Sequence, residues 1–156
     1  MSHPNYGKDF EHLIKTSILK VPDVDVQRLY DTTNGYVGVK QPSDFIVYKY
    51  PHQYYLECKC TWENTFHKGK ITQLPELFEK QKTKGVNAGV IIWFISHDVT
   101  AYIPAATLSL WFENHSSINV KDLKSGELNH LDIVGHKKRI FFDYDFSSFF
   151  QTYSVL

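Results

Sequence analysis

Tyr54-Tyr55-Leu56-Glu57-Cys58-Lys59-Cys60 is the stretch that decides how this chain is read, and it follows Gln41-Pro42-Ser43-Asp44-Phe45-Ile46-Val47 so that Glu57 lies thirteen residues after Asp44. In a strand, successive side chains alternate between faces. Leu56, Cys58 and Cys60 then point one way and suit a core. Glu57 and Lys59 point the other way and set a carboxylate beside an ammonium on one surface. An aspartate at the start of the preceding hairpin strand can meet them there. Two converging carboxylates make a site for a hard divalent cation. A lysine beside them can position or deprotonate an attacking water. The constellation suits metal-assisted phosphodiester hydrolysis.

Working outward, Gly7 to Leu19 predicts a helix, with Phe10, Leu13, Ile14 and Ile18 on one face and Pro22 as the stop. Val24 to Tyr30 alternates as a first strand. Thr32-Thr33-Asn34-Gly35 is a turn signal, because Asn-Gly accepts positive φ. Asp44 to Tyr48 is a second strand, and Tyr50-Pro51-His52-Gln53 turns it into the Glu57 strand. Trp62 to Gly69 reads as a loop. Ile71 to Lys84 reads as a helix ended by Gly85. Gly89-Val90-Ile91-Ile92-Trp93-Phe94-Ile95 is the longest apolar run and fits a strand buried on both faces. Thr100 to Ile103 is a short strand, and Ala105 to Phe112 a helix after Pro104. Strands are expected in the tail around Ile133-Val134 and Arg139-Ile140-Phe141-Phe142. This order predicts an α/β fold with helices packed on a mixed central sheet.

The 156 residues are enough for one domain with one core, here taken as 1–156. Hydrophobic residues at 42% and aromatics at 15% argue for a folded globule rather than a disordered chain. No apolar run reaches membrane-spanning length, and the start lacks an apolar signal region. Cys58 and Cys60, on one face of one strand, cannot form a relaxed disulfide and have no second pair for a zinc site. They read as small core residues of a protein in a reducing, cytoplasmic compartment. Lys+Arg and Asp+Glu balance at 17 each, which argues mildly against nucleic-acid binding. Basic clusters at Lys68 and Lys70, at Lys80, Lys82 and Lys84, and at Lys137-Lys138-Arg139 soften that argument.

Pro-Ser-Asp, a spacer and Glu-x-Lys resemble the PD-(D/E)xK nuclease superfamily, whose core is restriction-endonuclease-like. Within it the chain resembles the RecU-type Holliday-junction resolvases of Gram-positive bacteria and their phages, from Gly7 to about Tyr144. Gly7-Lys8-Asp9-Phe10-Glu11 resembles the family's opening helix. Asp44-Phe45 with Leu56-Glu57-Cys58-Lys59 resembles its metal-binding hairpin. Phe66 through Gln73 to Leu77 resembles the segment ending in a helix with a site glutamine. Gly89 to Phe94 followed by Thr100 to Pro104 resembles its later strand pair. The chain departs from these resolvases in leaving only Lys20 to Ser43 for their projecting stalk; archaeal junction resolvases share the hairpin and lack such a stalk.

The resemblance implies Mg²⁺ or Mn²⁺ held by Asp44, Glu57 and the Cys58 backbone carbonyl, with Glu11 reaching the metal directly or through water. It implies that Lys59 activates water and that Gln73 orients water or a phosphate oxygen. It also implies a homodimer acting on branched double-stranded DNA with paired, symmetric nicks. His67, Lys68, Lys70, Lys80 and Lys84 are candidate phosphate contacts. Trp62 and Phe66 could stack on bases, although packing explains them as well. The eight histidines show no ligand spacing. A restriction- or repair-type nuclease, or a non-catalytic DNA-binding module, fits the same residues.

Overall fold

Phe10, Ile14, Ser17 and Ile18 form the buried face of the opening helix α1 (Tyr6–Ile18), whose first turn carries Asp9 and last turn Lys15. That charge placement complements the helix dipole. The computed structural model describes residues 6–30, 41–138 and 141–153, with the side chains of 136–138 and 141–142 left aside. The Asn34-Gly35 turn, residues 31–40 of the Lys20-to-Ser43 segment and the side chains of the Lys137-Lys138-Arg139 cluster lie outside what is described.

Edge strand β1 (Val24–Arg28) pairs antiparallel with β2 (Phe45–Lys49), which forms a hairpin with the ten-residue β3 (His52–Thr61). The short strand β4 (Thr65–His67) and a 3-10 turn (Lys68–Lys70) occupy the stretch expected to be loop. Helix α2 (Leu74–Gln81) is shorter than the predicted Ile71–Lys84. Its C-terminal extension is polar, and the chain turns there so that the Gly85 carbonyl accepts from the Gln53 amide at 2.9 Å. Gly85 makes this turn with φ of 84°, a conformation that favours glycine.

Strand β5 (Val86–Phe94) runs parallel to β3 in unbroken register from Gln53↔Val86 to Thr61↔Phe94. β6 (Val99–Pro104) and β8 (Leu131–Asp132) complete a mixed six-stranded sheet of order β1-β2-β3-β5-β6-β8. Between them come α3 (Ala105–Trp111), β7 (Ser117–Asn119) and α4 (Val120–Lys124). β7 pairs with β4, placing Ile118 opposite Phe66. The tail folds as a hairpin of β9 (Gly135–Lys138) and β10 (Phe141–Tyr144), then helix α5 (Phe146–Tyr153). The expected strand at Ile133-Val134 is instead the link between β8 and β9.

The sheet separates two cores. One face packs Leu56, Cys58 and Ile91 under α1 and α5, with Phe10, Phe146, Phe149 and Phe150. The opposite face packs Val90, Ile92 and Ala101 under α2, α3 and α4, with Leu77, Leu108 and Leu123. The Ser17 hydroxyl accepts from the Tyr144 amide at 3.0 Å, tying α1 to the tail hairpin. β5 is therefore apolar throughout Ala88 to Phe94, as a strand covered on both faces must be. Gly89 is needed where the Tyr102 ring crosses it: an added Cβ would stand 2.5 Å from the Ile103 oxygen and 2.7 Å from the ring.

Candidate active site

The β2–β3 hairpin fixes the register that brings the acids together. Phe45 pairs with Leu56, so Asp44, one residue earlier, arrives beside Glu57 and Cys58. Its Oδ2 accepts from the Cys58 backbone N–H at 2.8 Å. The Asp44 carboxyl also lies against both the Glu57 and the Glu11 carboxyls. Lys59 Nζ stands 3.5 Å from Glu57 Oε1.

The expectation that Glu57 and Lys59 lie on a surface away from the core is corrected by the second core. Their register partners Val90 and Ile92 are fully buried on that side of the sheet. The Glu57 side chain is only 4% exposed and that of Lys59 25%. Glu57 Oε2 is buried without a hydrogen-bond partner. Burial, and next the Asp44 charge, push the Glu57 carboxyl up to about 8, with Lys59 pulling the other way. Two acceptor carboxyls set side by side are held together only by a proton or a cation between them. The donor set thus fits a hard cation, which would satisfy the orphaned oxygen and offset the crowded charge.

Glu11 comes from α1 and is positioned by Arg28, a residue read from sequence only as one step in the alternation of β1. Arg28 Nη2 donates to Glu11 Oε2 at 2.7 Å, and Nη1 lies 3.4 Å from Asp44 Oδ1. Nη1 also donates to the Asp44 carbonyl at 3.1 Å and to the Leu29 carbonyl. The guanidinium sits over the Tyr30 ring at 4.9 Å and the Phe45 ring at 5.5 Å. Burial and the Asp44 charge still raise the Glu11 carboxyl, against the pull of Arg28. The signal available in sequence was an arginine at an inward position of an otherwise apolar alternation.

The cysteines add no nucleophile: burial pushes the Cys58 thiol well up and raises Cys60, which keeps both protonated at neutral pH. Gln73 stands at the start of α2, where its Oε1 accepts from the Thr72 hydroxyl at 3.2 Å. That contact lies outside the Glu11–Arg28–Asp44–Glu57–Lys59 network. His67, Lys68, Lys70, Lys80 and Lys84 are exposed. Lys80 Nζ lies over the Tyr55 ring at 5.3 Å, and Lys70 Nζ over Phe66 at 5.7 Å. Phe66 is buried in the core opposite Ile118 and is unavailable for stacking on bases, whereas Trp62 is 48% exposed and packs edge-on against Tyr6. Among the described residues, no three His, Cys, Asp or Glu side chains form a cluster able to hold a metal by themselves. No helix among them is long and apolar enough to cross a membrane.

No family model and no curated protein matches the chain. Among solved structures it is similar to Archaeoglobus fulgidus Hjc, a Holliday junction resolvase from an archaeal hyperthermophile. The TM-score is 0.57 at 15% identity, over 81% of this chain and 95% of that one. Its mixed six-stranded sheet, flanked by helices and carrying a carboxylate hairpin, gives this chain the restriction-endonuclease-like fold of the archaeal resolvase.

Proposed function

We propose that this protein is a metal-dependent endodeoxyribonuclease that resolves four-way DNA junctions by paired phosphodiester hydrolysis, acting as a homodimer. The observation that carries the reading is the meeting of Asp44, Glu57 and Lys59 on one hairpin, with Glu57 Oε2 buried and unpartnered. The junction as substrate is supported by the shared fold with an archaeal junction resolvase. The motif order supports a RecU-type relative among bacteria or phages.

Asp44, Glu57 and the Cys58 carbonyl would hold Mg²⁺, or Mn²⁺ in its place, water and a phosphate oxygen completing an all-oxygen shell. Such a cation supplies charge neutralisation at the phosphoryl oxygens and a more acidic water. Lys59, 3.5 Å from Glu57, is placed to hold the attacking water and to offset negative charge as it develops. Glu11, held by Arg28, would reach the cation through water, and Gln73 would orient water or phosphate. The exposed His67, Lys68, Lys70, Lys80 and Lys84 would meet backbone phosphates. Two opposed nicks need two sites facing each other, which a two-fold dimer provides.

The test is cleavage of end-labelled four-way junction, flap and linear duplex, with and without Mg²⁺. Metal-dependent, symmetric nicks in the junction with an uncut duplex support resolution. Equal cutting of all three substrates would make it a restriction- or repair-type nuclease. Binding without cutting would leave a DNA-binding module.

A further inference from the structure

A cleft of about 380 Å³ opens beside the carboxylates, between α1 and the end of β1. Glu11 and Arg28 belong both to its walls and to the network around Asp44. An occupant of this cleft therefore lies against the groups that flank the proposed cation.

α1 supplies one wall as a polar stripe. Lys8, Glu11, His12 and Lys15 recur three and four residues apart, so they share one helix face, distinct from the buried face of Phe10, Ile14 and Ile18. Lys8 and His12 are exposed, and Lys15 is partly so. With Arg28, the walls carry three cations against one carboxylate, in a chain whose formal charge is zero. Lys8 to Lys15 spans roughly 10 Å of helix, the length of about three stacked nucleotides. Tyr30 stands on the other wall. The Arg28 guanidinium covers one face of its ring at 4.9 Å, yet the residue is 70% exposed. The remaining face is a flat platform of the kind on which a nucleic-acid base stacks.

We propose, resting on the nuclease reading above, that the cleaved DNA strand enters along α1, with its phosphates at Lys8 and Lys15 and the base beside the cut stacked on Tyr30. Positive charge joined to an aromatic platform is the combination by which proteins hold a single strand. Continuity with Glu11 and Arg28 makes that strand the one being cut. Unstacking a base costs least where pairing is already interrupted, so Tyr30 favours a branch point over continuous duplex.

The experiment titrates the full chain against labelled four-way junction and linear duplex at several salt concentrations, in Ca²⁺. Lys8→Gln and Lys15→Gln should each lower the slope of log affinity against log salt by about one. Lys124→Gln, the same charge loss on α4 across the sheet, should leave it unchanged. Tyr30→Ala should weaken junction binding about tenfold at unchanged slope, and Tyr30→Phe should restore it. An abasic residue moved along one junction strand should weaken wild type at one position and leave Tyr30→Ala indifferent there. Wild-type slopes in both α1 lysine variants, or abasic effects alike in wild type and Tyr30→Ala, would overturn the proposal. So would a slope lost only in Lys80→Gln, which puts the strand on the α2 side. Variants that bind and cut as wild type does sink the groove and leave the nuclease reading standing. A protein that shows these binding losses but cuts nothing keeps the groove and sinks the nuclease reading. Failure to bind any DNA overturns both.

Discussion

Glu57→Gln should make the metal-free protein more stable. The folded state holds this carboxyl at about 8 against an ordinary 4.5, chiefly through burial. Between those values the folded chain keeps a proton that the unfolded chain has released. Stability therefore falls as pH rises from 4.5 through 8, and is unaffected by this group below 4.5. At about 1.4 kcal/mol per pH unit, the loss reaches about 3 kcal/mol by pH 7. Glutamine fills the same volume, carries no charge and can donate its amide to Asp44. In chelator at pH 7 the variant should gain about 3 kcal/mol, roughly 6–12 °C in Tm for a domain of this size. The difference from wild type should vanish near pH 4.5. Urea unfolding followed across pH 4.5 to 8 measures it, and subtracting the variant removes the contribution of Glu11. Added Mg²⁺ should stabilise wild type far more than the variant, since the cation replaces the missing proton. A variant less stable than wild type at pH 7 without metal would refute the account of a crowded, buried carboxylate.

Lys59→Ala should fold normally, being partly exposed, and lose at least about a hundredfold in single-turnover cleavage, as removal of a group acting on the transition state commonly does. Chelation should abolish cutting, with Mg²⁺ or Mn²⁺ restoring it and Ca²⁺ supporting binding but poor chemistry; full activity in chelator would remove the metal from the mechanism. Arg28→Ala should cost about 2 kcal/mol, because it strands Glu11 and Asp44 in a half-buried site, while Arg28→Lys should recover only part of it; unchanged urea midpoints would show the arginine to be ornamental to the fold. Gly89→Ala should lower Tm sharply, since its Cβ meets the Ile103 backbone and the Tyr102 ring.

The sequence made the carboxylate hairpin legible because a strand has a period of two and the hairpin has a fixed register. β5 was equally clear, since seven apolar residues in succession admit few other homes. What local pattern could not show was the second core: nothing within Leu56 to Cys60 says that α2 and α3 cover the Glu57 face. Arg28 was visible as a residue but not as a bridge, because its partners come from α1 and from Asp44, sixteen residues on. β4 escaped notice because its partner, β7, lies some fifty residues away. Two missed helices did leave signals. Asn119 and Asp122 form a capping box at α4. Phe146, Phe149, Phe150 and Tyr153 recur at helical spacing along α5, and they close on Tyr54 and Tyr102.

Asp44 accepts the Cys58 amide proton with the same carboxylate that faces Glu57. The main chain therefore carries a spectroscopic reporter one hydrogen bond removed from the paired carboxyls. The amide signal of Cys58 should move when the Asp44 oxygens change partner, whether to a proton, a cation or a phosphate-bound water. It should do so without any label being attached near the site. The same coupling makes Asp44→Ala a misleading variant, because it strands a strand amide as well as removing a carboxylate. Asp44→Asn retains an acceptor for that amide, so the two substitutions together separate the scaffolding role of the side chain from its chemistry.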